Sequence, residues 1–283
     1  MKIGIRLHDL AKESYKTIFE KCKAAGFDYI QLVFKKALLD EENNVMLFTK
    51  ENALKVKPNL ENSGLKVSML GAYFNPVHSN KELVKSNVEY FKEHLKYASL
   101  LDTKYVGSET GSYNDDKWTY NPKNQTEEGY QESIAIFKDL VKTAEEYNSI
   151  VLMEPAYGHV MYDVKTLKRA FDEIHSPNLK VTIDIYNLLY LGNYKNYKEI
   201  FHEALTTFKD NIKVIHLKDF NVVEDSLKQC GLGKGIIDFK YIISEIKLYC
   251  PEVVLTFEGV VGDDIPTSLE LINKIIKETE NRN

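Results

Sequence analysis

Eight short apolar runs recur along the chain, each followed by a stretch with helical periodicity, and this alternation constrains the fold more than any other feature. The runs cover residues 2–7, 29–34, 66–70, 105–107, 150–153, 180–183, 213–217 and 253–257. Strand followed by helix, repeated, is the pattern of a parallel sheet with crossover helices, which sandwiches and bundles lack. In SYKTIFEKCKAAG, Ile18, Phe19, Cys22 and Ala25 share one helical face and Gly26 supplies the stop; a second helix ends likewise at Gly64. Eight such units in 283 residues match an α/β fold of the closed (β/α)8 TIM barrel type, a single domain over residues 1–283. Two connections, 35–49 and 110–127, are longer than the barrel needs. The second carries Trp118, the only tryptophan, and is expected to form a lid, because long loops after barrel strands cover the active face. The tail KETENRN, from Lys277, reads as frayed.

Four residues end, or nearly end, consecutive runs: Glu154 in VLME, Asp184 in KVTID, His216 in KVIHLKD and Glu258 in VVLTFE. Their spacings of 30, 32 and 42 residues each leave room for one helix and two loops. In a barrel, residues at the C-terminal ends of strands converge on one mouth. Three carboxylates and an imidazole would meet there, an oxygen-rich set suited to one divalent metal ion, Mn²⁺ first, with Mg²⁺, Co²⁺ or Zn²⁺ as alternatives. Taken singly, each residue has an ordinary explanation as a helix cap, a surface ion pair or a hydrogen-bonded core histidine. Four on successive units favour the metal.

Other residues fall at the same mouth. His8, His78 and Glu109 follow the first, third and fourth runs and are expected to contact substrate, with loop hydrogen bonding as the plainer reading. Lys218 lies two residues beyond His216 and shares its face if the strand continues, whereas Asp219 points the other way and reads as structural. Gly231, Gly233 and Gly235 precede a helix that Asp238 would cap; the loop is either a phosphate cradle or an ordinary helix entry.

Composition removes several classes. A net charge of −5 and a pI near 5.9 argue against nucleic acid as partner. No run approaches the length of a membrane span, and MKIGIRLHDL enters a strand pattern directly, without a secretory signal. Cys22, Cys230 and Cys250 form no paired motif, so a reducing, cytoplasmic location is expected. Abundant Tyr and Phe on the barrel helices leave room for a homo-oligomer, a dimer or tetramer.

With MEPAYGH from Met153, TIDIYNLL from Thr182, VIHLKDF from Val214, GLGKGIIDF from Gly231 and LTFEG from Leu255, the chain resembles the xylose isomerase-like superfamily of TIM barrels, the sugar phosphate isomerases and epimerases. The superfamily includes ketose 3-epimerases, inosose-handling enzymes and endonuclease IV, and the resemblance covers nearly the whole chain. It implies that Glu154, Asp184, His216 and Glu258 bind one divalent metal and that Glu154 and Glu258 are the acid/base pair. The implied substrate is a small carbohydrate: a sugar, sugar phosphate or related polyol, isomerised or epimerised through a metal-stabilised enediolate. His159, in the GH pair after Glu154, is similar to substrate-facing histidines of relatives. Asn187 stands where the nuclease and many ketose 3-epimerases carry histidine, which weighs against both, and it is itself expected to face substrate. The alternatives are an inosose-type dehydratase and a non-catalytic sugar-binding barrel; a three-metal nuclease ranks last.

Overall fold

All eight runs form strands, and the strands close into one parallel barrel. In this computed structural model, which describes residues 1–280, the barrel strands are β1 (Lys2–Arg6), β2 (Tyr29–Leu32), β3 (Lys66–Gly71), β4 (Tyr105–Glu109), β5 (Ile150–Glu154), β6 (Leu179–Asp184), β7 (Ile212–Leu217) and β8 (Val254–Phe257). Each pairs with its sequence neighbours, and β1 closes the ring, with Ile5 set against Ile30 of β2 and Phe257 of β8. Met69, Ile150, Leu152 and Val214 fill the lumen, while a larger cluster that includes Phe19, Phe91, Phe137 and Phe201 packs the strands against the outer helices.

The helices begin and end where local chemistry dictates. Thr49, Asn80, Thr126, Asp163 and Asp238 each accept a hydrogen bond from the backbone N–H three residues on, satisfying a donor the first helical turn cannot. Gly26 and Gly64 have φ of +97° and +71°, the left-handed stop that glycine adopts without a Cβ penalty. Lys277–Glu280 continue the last helix, Asp264–Glu280, instead of fraying; the rest of the tail lies outside the described residues. No helix among the described residues is long and apolar enough to cross a membrane.

Two segments depart from the expected connections. The stretch after β2 is not a simple loop: Phe34–Ala37 makes one helical turn, and Leu38–Leu39 pairs with Glu13–Ser14. After β7, Asp219–Val223 and Ser226–Cys230 form an antiparallel hairpin. Its strands are largely solvent-facing and carry no strong alternation, so periodicity could not reveal them.

The helix Lys81–Tyr97 holds a buried His94, stacked on Phe48 at 4.1 Å, whose Nδ1–H donates to the Tyr90 carbonyl at 2.8 Å. Burial lowers its pKa to about 4, so the folded protein keeps it neutral while the unfolded chain protonates near 6.5. Below about pH 6.5 the unfolded state gains a proton the native state refuses, and stability falls until about pH 4, by up to ~3 kcal/mol. Urea unfolding of His94→Phe between pH 7 and 4 should show a shallower acid loss than the parent; parallel curves would show that His94 does not carry it.

Candidate metal centre

Glu154 and Asp184 end β5 and β6, His216 is the penultimate residue of β7, and Glu258 follows β8 directly. The parallel register sets Asp184 beside His216 and Glu109 beside Glu154, so these side chains leave adjacent strands at one level. One ligand atom from each of Glu154, Asp184, His216 and Glu258 lies within 4.8 Å of the others. His216 Nδ1 faces inward, 2.8 Å from Glu258 Oε2, 3.3 Å from Glu154 Oε1 and 3.5 Å from Asp184 Oδ2. Its Nε2 turns away and meets Gln31 Oε1 at 2.7 Å, which fixes the ring with Nδ1 toward the carboxylates.

Three buried carboxylates this close require positive charge. Lys218 Nζ supplies part of it, 2.7 Å from Asp184 Oδ2 and 2.9 Å from Glu258 Oε1, and it donates to Asn187 Oδ1 at 3.1 Å. Arg6 supplies more, pairing with Glu258 Oε1 at 2.7 Å while it is clamped by Asp9. Burial opposes charge on Glu258, but His216, Lys218 and Arg6 together hold it well below the usual carboxylate range. Glu154 goes the other way, raised by burial against the opposing pull of His216. His216 is held well above its ordinary value, because Glu258 and Glu154 outweigh its burial. Asp184 Oδ2, fully buried, makes no well-formed hydrogen bond despite its nearness to Lys218. An under-satisfied carboxylate oxygen among oxygen donors and one imidazole fits a divalent cation, and the absence of thiolate from the set fits Mn²⁺, Mg²⁺ or Co²⁺ as well as Zn²⁺.

A cavity of 360 Å³ opens above this set, lined by Arg6, His8, Lys35, Lys36, Tyr73, Glu109, Trp118, Glu154 and Glu258. His8 and Glu109 thus stand where the sequence placed them. Burial, then Arg6 and Lys36, depress His8 to about 3; burial and the neighbouring Glu154 and Glu258 push Glu109 well above the carboxylate range. Asn187 spans two carboxylates, donating to Glu154 Oε1 at 2.9 Å and to Glu109 Oε1 at 3.4 Å. The lid does cover the mouth through Trp118, whose ring meets the edge of His159 at 5.4 Å. His78 does not line the cavity. It accepts from the Asn80 amide at 2.9 Å and lies 3.7 Å from Asp115 of the lid. A larger concavity of 1010 Å³ lies at the opposite, strand-start end near Lys2, Lys66 and Lys213, remote from the carboxylate–imidazole set.

Sequence reasoning missed a supporting ring. Gln31 Nε2 donates to Tyr73 OH at 2.7 Å, and Tyr73 OH reaches Glu154 Oε2 at 3.5 Å, so Gln31 and Tyr73 link His216 to Glu154. The clue for Gln31 was a polar residue inside the apolar run YIQLVF, and for Arg6 a guanidinium inside KIGIRL. The glycine loop proves to be occupied from within. Asp219 Oδ2 accepts from the Gly233 and Gly235 amides at 2.9 Å each, and Oδ1 accepts from the Ile237 amide at 3.1 Å. A Cβ on Gly235 would lie 2.2 Å from Asp219 Oδ1, so glycine is needed for the close approach. The donors a phosphate would use already hold a carboxylate of the chain itself.

The model of the xylose isomerase-like TIM barrel family matches residues 19–272, and the chain belongs to that family. No curated protein sequence matches. Among solved structures, a D-tagatose 3-epimerase-like protein superposes with a TM-score of 0.76 at 20% identity, covering 100% of this chain and 99% of that one. The 3-keto-D-glucoside 4-epimerase from E. coli gives 0.75 at 16% identity, covering 97% and 99%. The IolI protein with a bound zinc atom gives 0.73 at 15% identity, covering 98% and 99%. At such identities the likeness is one of fold.

Proposed function

We propose that this chain is a divalent-metal-dependent isomerase or epimerase of a sugar, sugar phosphate or related polyol. The observation that carries the reading is the meeting of Glu154, Asp184, His216 and Glu258 beneath a cavity of 360 Å³, a volume suited to a small polar ligand. The epimerases among the structural neighbours, and the zinc of the IolI protein, support it.

A divalent ion held by the four residues would polarise a substrate carbonyl and its adjacent hydroxyl, acidifying the C–H of the hydroxyl-bearing carbon. Glu154 and Glu258 are the groups that take and return that proton, one removing it and the other delivering it to the planar enediolate. Returned to the opposite face, the proton inverts the centre; returned to the neighbouring carbon, it moves the carbonyl. Arg6, Lys35 and Lys36 place positive charge at the cavity wall, where negative charge develops on the substrate oxygens. Trp118 covers the cavity and limits water. A second reading, dehydration, is favoured by Glu109, whose carboxyl is pushed well above its ordinary range by burial and then by Glu154 and Glu258, beside the cavity where it would protonate a leaving hydroxyl. Loss of water from the product separates the two.

The test is calorimetric titration of Mn²⁺ into chelator-stripped protein. One site per chain is expected, followed by solvent deuterium uptake when the loaded protein is screened against ketoses, aldoses and inososes. Stoichiometry of two or three would point to the multi-metal relatives, and no binding would remove the metal from the reading.

A further inference from the structure

Beside the metal cavity lies a second, open lobe of 470 Å³ that shares Glu109 and Trp118 with it, so the two are halves of one cleft. Its wall is aromatic. Tyr157 and Tyr190 stack face to face at 3.9 Å and 9°, and Tyr120 extends the stack from Tyr157 at 5.4 Å and 8°. Tyr190 and Leu191 keep 38% and 44% of their surface in solvent, and Leu227 of the hairpin closes the far side. Tyr157 is sandwiched between the other two rings, so the aromatic surface left to a ligand is that of Tyr190, and an aromatic ring open to water beside a polar pocket binds ring faces, aryl or glycosyl, by stacking.

A polar group marks the junction. His159 also lines the lobe, is only 3% exposed, and its Nδ1 has no hydrogen-bond partner. The closest carboxylate, Glu109 Oε1, is 4.0 Å away, beyond hydrogen-bond range. Burial keeps the imidazole neutral, with a pKa lowered to about 4, so Nδ1 remains a donor or acceptor for a hydroxyl rather than a charge. A buried ring nitrogen left unpaired is costly, and a ligand oxygen at the boundary of the two lobes would satisfy it.

We propose that the second lobe is a subsite for a second ring, so that the substrate is a glycoside, a sugar bearing a glycosyl or aryl substituent, rather than a free monosaccharide. This rests on the sugar-binding reading of the metal cavity. The reacting sugar occupies the metal cavity, its substituent lies on Tyr190, and His159 Nδ1 bonds an oxygen near the linkage.

Trp118 is the only tryptophan and sits between the lobes, so its fluorescence reports occupancy without ambiguity. The Mn²⁺-loaded protein is titrated with matched methyl and phenyl β-D-pyranosides of glucose, galactose and xylose, together with cellobiose and lactose. At least one phenyl glycoside or disaccharide is expected to bind about tenfold tighter than its methyl counterpart. In Tyr190→Ala, whose side chain lies at the surface and outside the core, that ratio should fall to about one. A larger gain for the disaccharides identifies a glycosyl substituent, and a larger gain for the phenyl glycosides an aryl one. Methyl and extended ligands of equal affinity, or an advantage that survives Tyr190→Ala, would overturn the subsite while leaving the sugar cavity standing. Failure of every glycoside to bind would overturn both.

Discussion

Glu154→Gln and Glu258→Gln are each expected to reduce kcat/KM by about a thousandfold or more, the range in which positioned acid–base groups contribute. The amide matches the carboxylate in size but can neither accept the proton nor bring a ligand charge to the metal. Because Glu154 is paired through His216, Asn187 and Tyr73, and Glu258 through His216, Lys218 and Arg6, the two losses differ in their side effects. Glu258→Gln strips a counter-charge from three cations and should also weaken metal binding. Glu154→Gln also removes a ligand charge, but it strips a close counter-charge from His216 alone and leaves Lys218 and Arg6 paired. Rates measured at saturating Mn²⁺, with circular dichroism to confirm folding, separate proton transfer from metal loss. Near-normal turnover in either variant would remove that glutamate from the mechanism.

Lys218→Met should destabilise the metal-free protein by ~3–5 kcal/mol, the cost typical of leaving a buried partner charge unpaired. Burial alone would lower the Lys218 pKa, yet Asp184, Glu258 and Glu154 hold it above its ordinary value, so the ammonium is an integral counter-ion of the cluster. A divalent ion bound to the same carboxylates would replace much of that charge. Added Mn²⁺ should therefore raise the stability of Lys218→Met more than that of the parent, as read from urea midpoints with and without chelator. Equal midpoints for the two metal-free proteins would show that the carboxylates are balanced without Lys218.

The strands and the four clustered residues were legible because both follow from local pattern. An apolar run of four to six residues that ends in an acid needs no knowledge of its neighbours, and barrel geometry does the rest. What escaped depends on contacts across the ring. Gln31 reaches His216 from a strand 185 residues earlier. Near it the β2–β3 register shifts between Ile30 and Gln31, where the Ser68 hydroxyl bonds the Ile30 carbonyl at 3.0 Å. Lys35 and Lys36 line the cavity from the turn Phe34–Ala37, in a nominal loop whose next residues, Leu38–Leu39, pair with Glu13–Ser14. His78 followed the right strand, but its ring is engaged by the Asn80 amide and faces Asp115. In the glycine loop the pattern correctly indicated a nest of amides, yet spacing alone could not say that Asp219 would fill it. The reading of Asp219 as structural, and of Asp238 as the helix cap, agrees with the bonds each makes.

The Asp219 anchor also divides the chain into scaffold and accessory. Asp219 pairs with Cys230 at the base of the hairpin and bonds the amides of Gly233 and Gly235, so the excursion from Phe220 to Leu232 leaves and returns through one fixed point. Lys218, immediately before that point, is held by Asp184, Glu258 and Asn187. Leu227, near the excursion's far end, forms part of the aromatic lobe. A hairpin of another length or composition could thus be exchanged as a cassette, changing which molecules the cleft admits while the reactive centre keeps its geometry.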